Sequence, residues 1–141
     1  MQKRYGITIN NAKEFLKECA KQKVHFHPIG VVQAWSPNSM KRAARELIDM
    51  GYTYIAIGGL VPLDINSCEE IVKSVRDEIG YDIKIHLLGF AKAKQLDRFI
   101  KYKITSFDST SPLIRAFKDE KDNYYTPKEH YTAIRIPSSQ K

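Results

Sequence analysis

Short apolar runs alternate with amphipathic helical segments along this chain, and that alternation constrains the fold more tightly than any other feature. HFHPIGVVQAW (25–35) holds a β-branched run from Ile29 to Val32. SMKRAARELIDMG (39–51) follows, with Ala43, Ala44, Leu47, Ile48 and Met50 on one side of a helix. Ser36-Pro37 marks its start, Ser as cap and Pro at the first helical position, and Gly51 marks its end. The cycle recurs as YTYIAIGGL (52–60) with DINSCEEIVKSVRDEIG (64–80), then as YDIKIHLLGF (81–90) with the basic segment KAKQLDRFIKYK (92–103). ITSFDSTSP (104–112) is a fourth short strand followed by polar turn residues. Ahead of the series, AKEFLKECAKQ (12–22) predicts a leading helix through Ala12, Phe15, Leu16 and Cys19, with Asn10 or Asn11 as its cap.

Short strands separated by amphipathic helices imply a parallel sheet covered by helices. Two α/β architectures fit: an open doubly wound sheet, or part of a (βα)₈ barrel. Four strands are too few to close a barrel, so the second option means half of one. The tail, DNYYTPKEHYTAIRIPSSQK, shows alternation at Tyr131, Ala133, Ile134 and Ile136 and suggests a hairpin or extension.

Composition narrows the class. The chain has 141 residues, 43% apolar and 28% charged, values of a folded soluble domain. No apolar run approaches the ~20 residues of a membrane span, and the N-terminus carries no apolar signal core. Cys19 and Cys68 stand alone, too few for a disulfide framework or a four-cysteine zinc site, and the cytoplasm is the expected location. The net charge is +7, with nine basic against seven acidic residues in the first seventy and fourteen against nine in the rest. A phosphate-bearing partner fits that excess.

In parallel α/β folds the ligand meets the C-terminal ends of the strands. Here those ends carry Val32-Gln33-Ala34, Gly58-Gly59-Leu60, His86-Leu87-Leu88-Gly89 and Phe107-Asp108-Ser109. An amide, bare glycine backbone, an apolar shelf and a carboxylate suit a flat polar heterocycle and a carboxylate attack on a sugar carbon. Plainer readings stay open. Gln33 could orient a loop, Gly58-Gly59 could mark a tight turn, and Asp108 could cap the next helix. Lys92, Lys94, Arg98, Lys101 and Lys103 are most simply a solvated helix face. His25, His27 and His86 lack partners at metal-ligand spacing, and no dinucleotide or P-loop glycine motif is present, so no metal or cofactor is expected.

HPIGVVQAW, YIAIGGLVPLD, IHLLGF and TSFDSTSPLIRAFKD, in that order, resemble the tRNA-guanine transglycosylase family over residues 25–120. The family fold is a (βα)₈ barrel, and these motifs match its last four strands. The resemblance implies a half barrel over residues 1–120, led by the helix at 12–22, and a C-terminal extension over 121–141. It also implies exchange of guanine in a nucleic acid, tRNA or DNA, for a 7-deazaguanine base. Asp108 matches the family's nucleophile, which forms a covalent ribosyl intermediate. Gln33 matches the base-reading glutamine, while Gly58, Gly59, Leu60, Leu88 and Gly89 match positions around the base. VPLD after GGL and TSPLIRAFKD after FDS depart from the tRNA enzymes and look more like the branch acting on DNA. The family's other catalytic aspartate lies in the first barrel half and its zinc ligands lie beyond the eighth strand. The expectation is therefore a homo-oligomer or a separate chain supplying the N-terminal half. The competing expectation is a non-catalytic or truncated relative that binds nucleic acid or a partner; a third is an unrelated α/β enzyme using phosphate.

Overall fold

The structure is a computed structural model of the chain, and it describes residues 2–90, 92–118, 121, 123–125 and 129–132. The chain divides into two compact units, Met1–Asp108 and Ser109–Lys141.

The first unit is a parallel four-stranded sheet in the order β1 (Gly30–Val32), β2 (Tyr54–Ile57), β3 (Lys84–Leu87) and β4 (Ser106–Phe107). Between them run α2 (Pro37–Asp49), α3 (Ile65–Ile79) and a 3₁₀ helix (Ala93–Tyr102), and α1 (Gln2–Gln22) precedes β1. Alternate side chains explain the layering. Val32, Ile55, Ile57, Ile85 and Leu87 are fully buried in one cluster with Ala43, Ala44 and Leu47 of α2 and Val72 and Val75 of α3. The other strand parity, which holds Val31, Tyr54, Lys84 and His86, is absent from that cluster and forms an open face. Strand order never reverses, and right-handed crossovers then place every connector on one face. That excludes the doubly wound alternative, whose sheet is covered on both faces. The arrangement is α/β and compatible with half a βα barrel.

Local chemistry sets the helix ends. Ser36 Oγ accepts from the Ser39 N–H at 3.3 Å while the Ser36 N–H donates to Ser39 Oγ at 2.9 Å, so a second serine completes the capping box ahead of Pro37. Asp64 caps α3 through the N–H groups of Asn66 and Ser67, and Gly80 closes it. At the N-terminal ends of the strands, Arg76 is only 1% exposed. Its guanidinium donates to the carbonyls of Tyr102, Gly80, Ile83 and Lys103, tying α3 to the entries of β3 and β4.

The leading helix departs from the expected 12–22. It starts at Gln2, and Asn10 and Asn11 lie inside it, so neither is a cap. The reason is a longer apolar stripe: Tyr5, Ile9, Ala12, Leu16 and Cys19 recur at alternating steps of four and three, and packing overrides the low propensity of the asparagines. Tyr52 fastens this helix, its hydroxyl donating to the Ala12 carbonyl at 2.8 Å. Gly30 makes room for that ring, since a Cβ there would fall 3.0 Å from Tyr52 Cγ.

The basic segment at 92–103 also differs in kind. It forms a 3₁₀ helix with a kink at Gln95. Leu96, Phe99 and Tyr102 face the core at steps of three, as 3₁₀ geometry requires, and Ile100 is left 71% exposed.

The second unit holds α4 (Ser111–Lys118) and an antiparallel pair, β5 (Tyr124–Tyr125) with β6 (His130–Tyr131). Of the alternating tail residues, Tyr131 lies in β6, while Ala133, Ile134 and Ile136 fall outside the described residues. Among the described residues no helix is long and apolar enough to cross a membrane.

Candidate active site

Sheet register determines what the open face presents. Val31 pairs with Ala56, Ala56 with His86, and His86 with Ser106, so these four residues form one row across the strands. Two residues further on lie Gln33, Gly58, Leu88 and Asp108. The ladder continues to that level through Gly58 N–H to Val32 O at 2.9 Å, Leu88 N–H to Ile57 O at 3.0 Å and Asp108 N–H to Leu87 O at 3.3 Å. By alternation all four belong to the open face. The amide, the bare backbone, the apolar side chain and the carboxylate thus share one row at the C-terminal ends. Gln33 and Asp108 stand at its two extremes, three strand spacings or about 14 Å apart.

Asp108 is the most firmly held member. Its Oδ1 accepts from the Gly89 N–H at 2.9 Å and lies 3.0 Å from His86 Nε2. These two contacts, the backbone one first, hold its carboxyl below the usual carboxylate range, so it is ionised at neutral pH. Half of the side chain remains exposed, at 50%. Gly89 can aim its N–H this way because it takes φ +64°, and a Cβ there would fall 3.0 Å from Val61 Cγ2.

The remaining expected positions divide. Leu88 is half-buried beside Gly58, where a Cβ would sit 3.7 Å from its Cδ1. Gly59 is exposed with φ +79°. Leu60 is not gathered into the row: its side chain is fully buried in the core. Its carbonyl faces Cys68 Sγ at 3.5 Å and Lys92 Nζ at 3.5 Å. Gln33 is exposed and also lines a cleft of about 220 Å³ with Arg4, Tyr5, Thr8 and Trp35. On the basic helical segment, Glu69 takes up Arg98 Nε at 2.8 Å and Lys101 Nζ at 2.7 Å, which neutralises part of that face.

His86 is the residue the sequence reading passed over as a site member. The signal was there in its parity, two residues before Leu88 on the same strand, but its contact with Asp108 depends on the register of β3 with β4.

No family model matches the chain. It is 39% identical over 137 residues, 96% of its own length, to a DNA-guanine transglycosylase of Salmonella montevideo, of which it covers 32%. Identity at that level over nearly the whole chain agrees with the resemblance carried by the strand-end motifs and is what a part of a transglycosylase of that family would show. The chain is a relative of a guanine transglycosylase, and it spans about a third of that protein's length.

Proposed function

We propose that this chain supplies half of a guanine-exchanging transglycosylase barrel. In this reading β1–β4 stand as its strands five to eight, residues 1–120 make up the barrel half and residues 121–141 an extension. The reaction replaces guanine in a nucleic acid with a 7-deazaguanine base. The relative's name favours DNA over tRNA as the substrate. Asp108 attacks C1′ of the target nucleoside, and the C1′–N bond to guanine breaks as the new C–O bond forms. The departing base takes up a proton. The incoming base loses a proton from its ring nitrogen, attacks C1′, and releases the carboxylate. Gln33 reads the base edge, Gly59 and Leu60 offer backbone groups, Gly58 and Gly89 lie around the base, and Leu88 forms an apolar shelf. The observation that carries this reading is the single row Gln33–Gly58–Leu88–Asp108, with its carboxylate pinned and ionised at one end.

The sheet edges support completion of the barrel by further strands. Among the described residues β1 and β4 each pair on one side only. A groove of about 260 Å³ runs beside β1, lined by Ala12, Phe15, Ile29 and Val31. Another of about 520 Å³ runs beside β4, lined by Phe99, Ile100, Ile104 and Phe107. Unpaired edges flanked by apolar grooves call for added strands and helices, from the rest of a longer chain, a separate N-terminal half or a second copy.

The test is covalent trapping. Guanine-containing DNA and tRNA are each incubated with the chain, alone and with the polypeptide encoded beside it. A denaturation-resistant adduct mapping to the Asp108 peptide is expected, and it should vanish in Asp108→Asn. An adduct that persists in that variant sinks the assignment. Nucleic-acid binding without an adduct in any pairing would favour the second reading, a non-catalytic subunit.

A further inference from the structure

A line of hydrogen bonds runs across the open face from β2 to the carboxylate. Tyr54 Oη lies 2.5 Å from Ser106 Oγ, and Ser106 Oγ lies 2.7 Å from His86 Nδ1. His86 Nε2 in turn lies 3.0 Å from Asp108 Oδ1. An ionised carboxylate only accepts, so Nε2 carries the proton facing Asp108. On the neutral ring Nδ1 is then an acceptor, Ser106 donates to it, and Tyr54 donates to Ser106. Every donor in the line points toward the carboxylate, and the imidazole is fixed as one tautomer.

The Gly89 N–H alone would leave the carboxylate free to turn about its Cβ–Cγ bond. A second donor on the same oxygen fixes its plane. Both contacts fall on Oδ1, and among the described residues no hydrogen bond is made to Oδ2. We propose that His86 is a positioning residue: it pins Oδ1 of Asp108 so that Oδ2 makes the attack on C1′. This rests on the transglycosylase reading and deepens it. In the first step the Oδ2–C1′ bond forms and the C1′–N bond breaks, and His86 neither gains nor loses a proton. Oδ1 becomes the carbonyl oxygen of the ester and keeps both donors. In the second step the Oδ2–C1′ electron pair returns to the carboxylate, and the charge that reappears on Oδ1 meets two groups already aimed at it. Among the described residues the other titratable groups on this face are Lys84, exposed on β3, and His27, whose ring centroid lies 5.9 Å from that of Tyr54.

The test reads the line directly in the full chain. Carbon-13 titration of the Asp108 carboxyl and nitrogen-15 shifts of His86 are compared in wild type, His86→Leu, His86→Gln and Ser106→Ala. Wild type should show the Nε2–H tautomer alone. The Asp108 midpoint should rise in His86→Leu and return most of the way in His86→Gln, whose amide can still donate. In Ser106→Ala a second His86 tautomer should appear, which keeps the test open should His86→Leu misfold. In the trapping assay, adduct formation should slow ~10²-fold in His86→Leu, the order of one lost oxyanion donor, and recover in His86→Gln. An unchanged Asp108 midpoint in folded His86→Leu, or an Nδ1–H tautomer in wild type, overturns the assignment. Absence of any wild-type adduct would instead remove the transglycosylase reading, while the titration still decides whether His86 holds Asp108.

Discussion

At the N-terminal ends of the strands Arg76 is 1% exposed and donates to four backbone carbonyls; at the C-terminal ends Asp108 is 50% exposed and accepts from two groups. Both are charged side chains anchored by backbone groups, yet their surroundings assign them different work. Arg76 has lost its water and replaced nearly all of it with protein oxygens, so it is committed to holding α3, β3 and β4 together. Asp108 keeps one oxygen free of hydrogen bonds from the described residues, in a row of groups that face away from the core. In parallel α/β folds the bottom of the sheet serves stability and the top serves chemistry. The contrast yields a set of substitutions ranked by their effect on stability.

Arg76→Met should have the largest effect. It strips four backbone carbonyls, the Tyr102 one buried, of their donor, and leaving a buried acceptor unsatisfied costs about 1–3 kcal/mol. Urea unfolding measures it. Arg76→Lys should rescue little, because a single ammonium cannot span the four acceptors. A loss below about 1 kcal/mol would show that the lower end is not held this way.

Ser36→Ala tests whether the upper end also contains structural parts. It removes the side-chain acceptor for the Ser39 N–H at the start of α2, a change worth about 1 kcal/mol. The urea midpoint should fall with an unchanged slope. No measurable fall would mean that water replaces the cap, and that the strand-end loops contribute nothing to stability.

Much of this was legible because it is local. Ser36-Pro37, Asp64 with the run after it, and the glycines at 51 and 80 punctuate helices by their own chemistry, and the strand tips carried the row residues at a fixed parity. What was hidden depends on packing or register. The start of α1 is set by a stripe that passes straight through Asn10 and Asn11. The steps of three in Leu96, Phe99 and Tyr102 read equally well as half of an α-helical pattern, so spacing does not distinguish the 3₁₀ form that leaves Ile100 exposed. Leu60 follows Gly58 of the row and Gly59 but turns into the core, a change of direction no spacing shows. The partnership of His86 with Asp108 spans two strands and exists only once β3 and β4 are aligned.

Glu69 lies between the two extremes and gives the acid dependence. Hydrogen bonds from Lys101, then Arg98, then Tyr102 hold its carboxyl at about 2, against an ordinary 4.5. A depressed folded value means that the stabilisation is full above the unfolded value and is lost as pH falls from about 4.5 toward 2. Glu69→Gln should therefore have a lower Tm than wild type at neutral pH, with the two curves converging at the acid end of that window. Parallel curves would show that these ion pairs between α3 and the 3₁₀ helix are screened by solvent and carry no stability.

Asp108→Asn should have the smallest effect on the fold and a complete effect on trapping. The amide keeps an oxygen for the Gly89 N–H, and the side chain is half exposed, so Tm should move by less than about 2 °C at neutral pH. The sign of its pH dependence is fixed. Gly89 first and His86 second depress the wild-type carboxyl, so whatever stability the pinning gives is present at neutral pH and disappears as pH falls through the depressed value. The asparagine variant has no such loss, and calorimetry across the acid range should show the two proteins approaching each other. A variant that unfolds readily at neutral pH would put Asp108 with Arg76 among the residues that hold the sheet, and the division between its two ends would no longer stand.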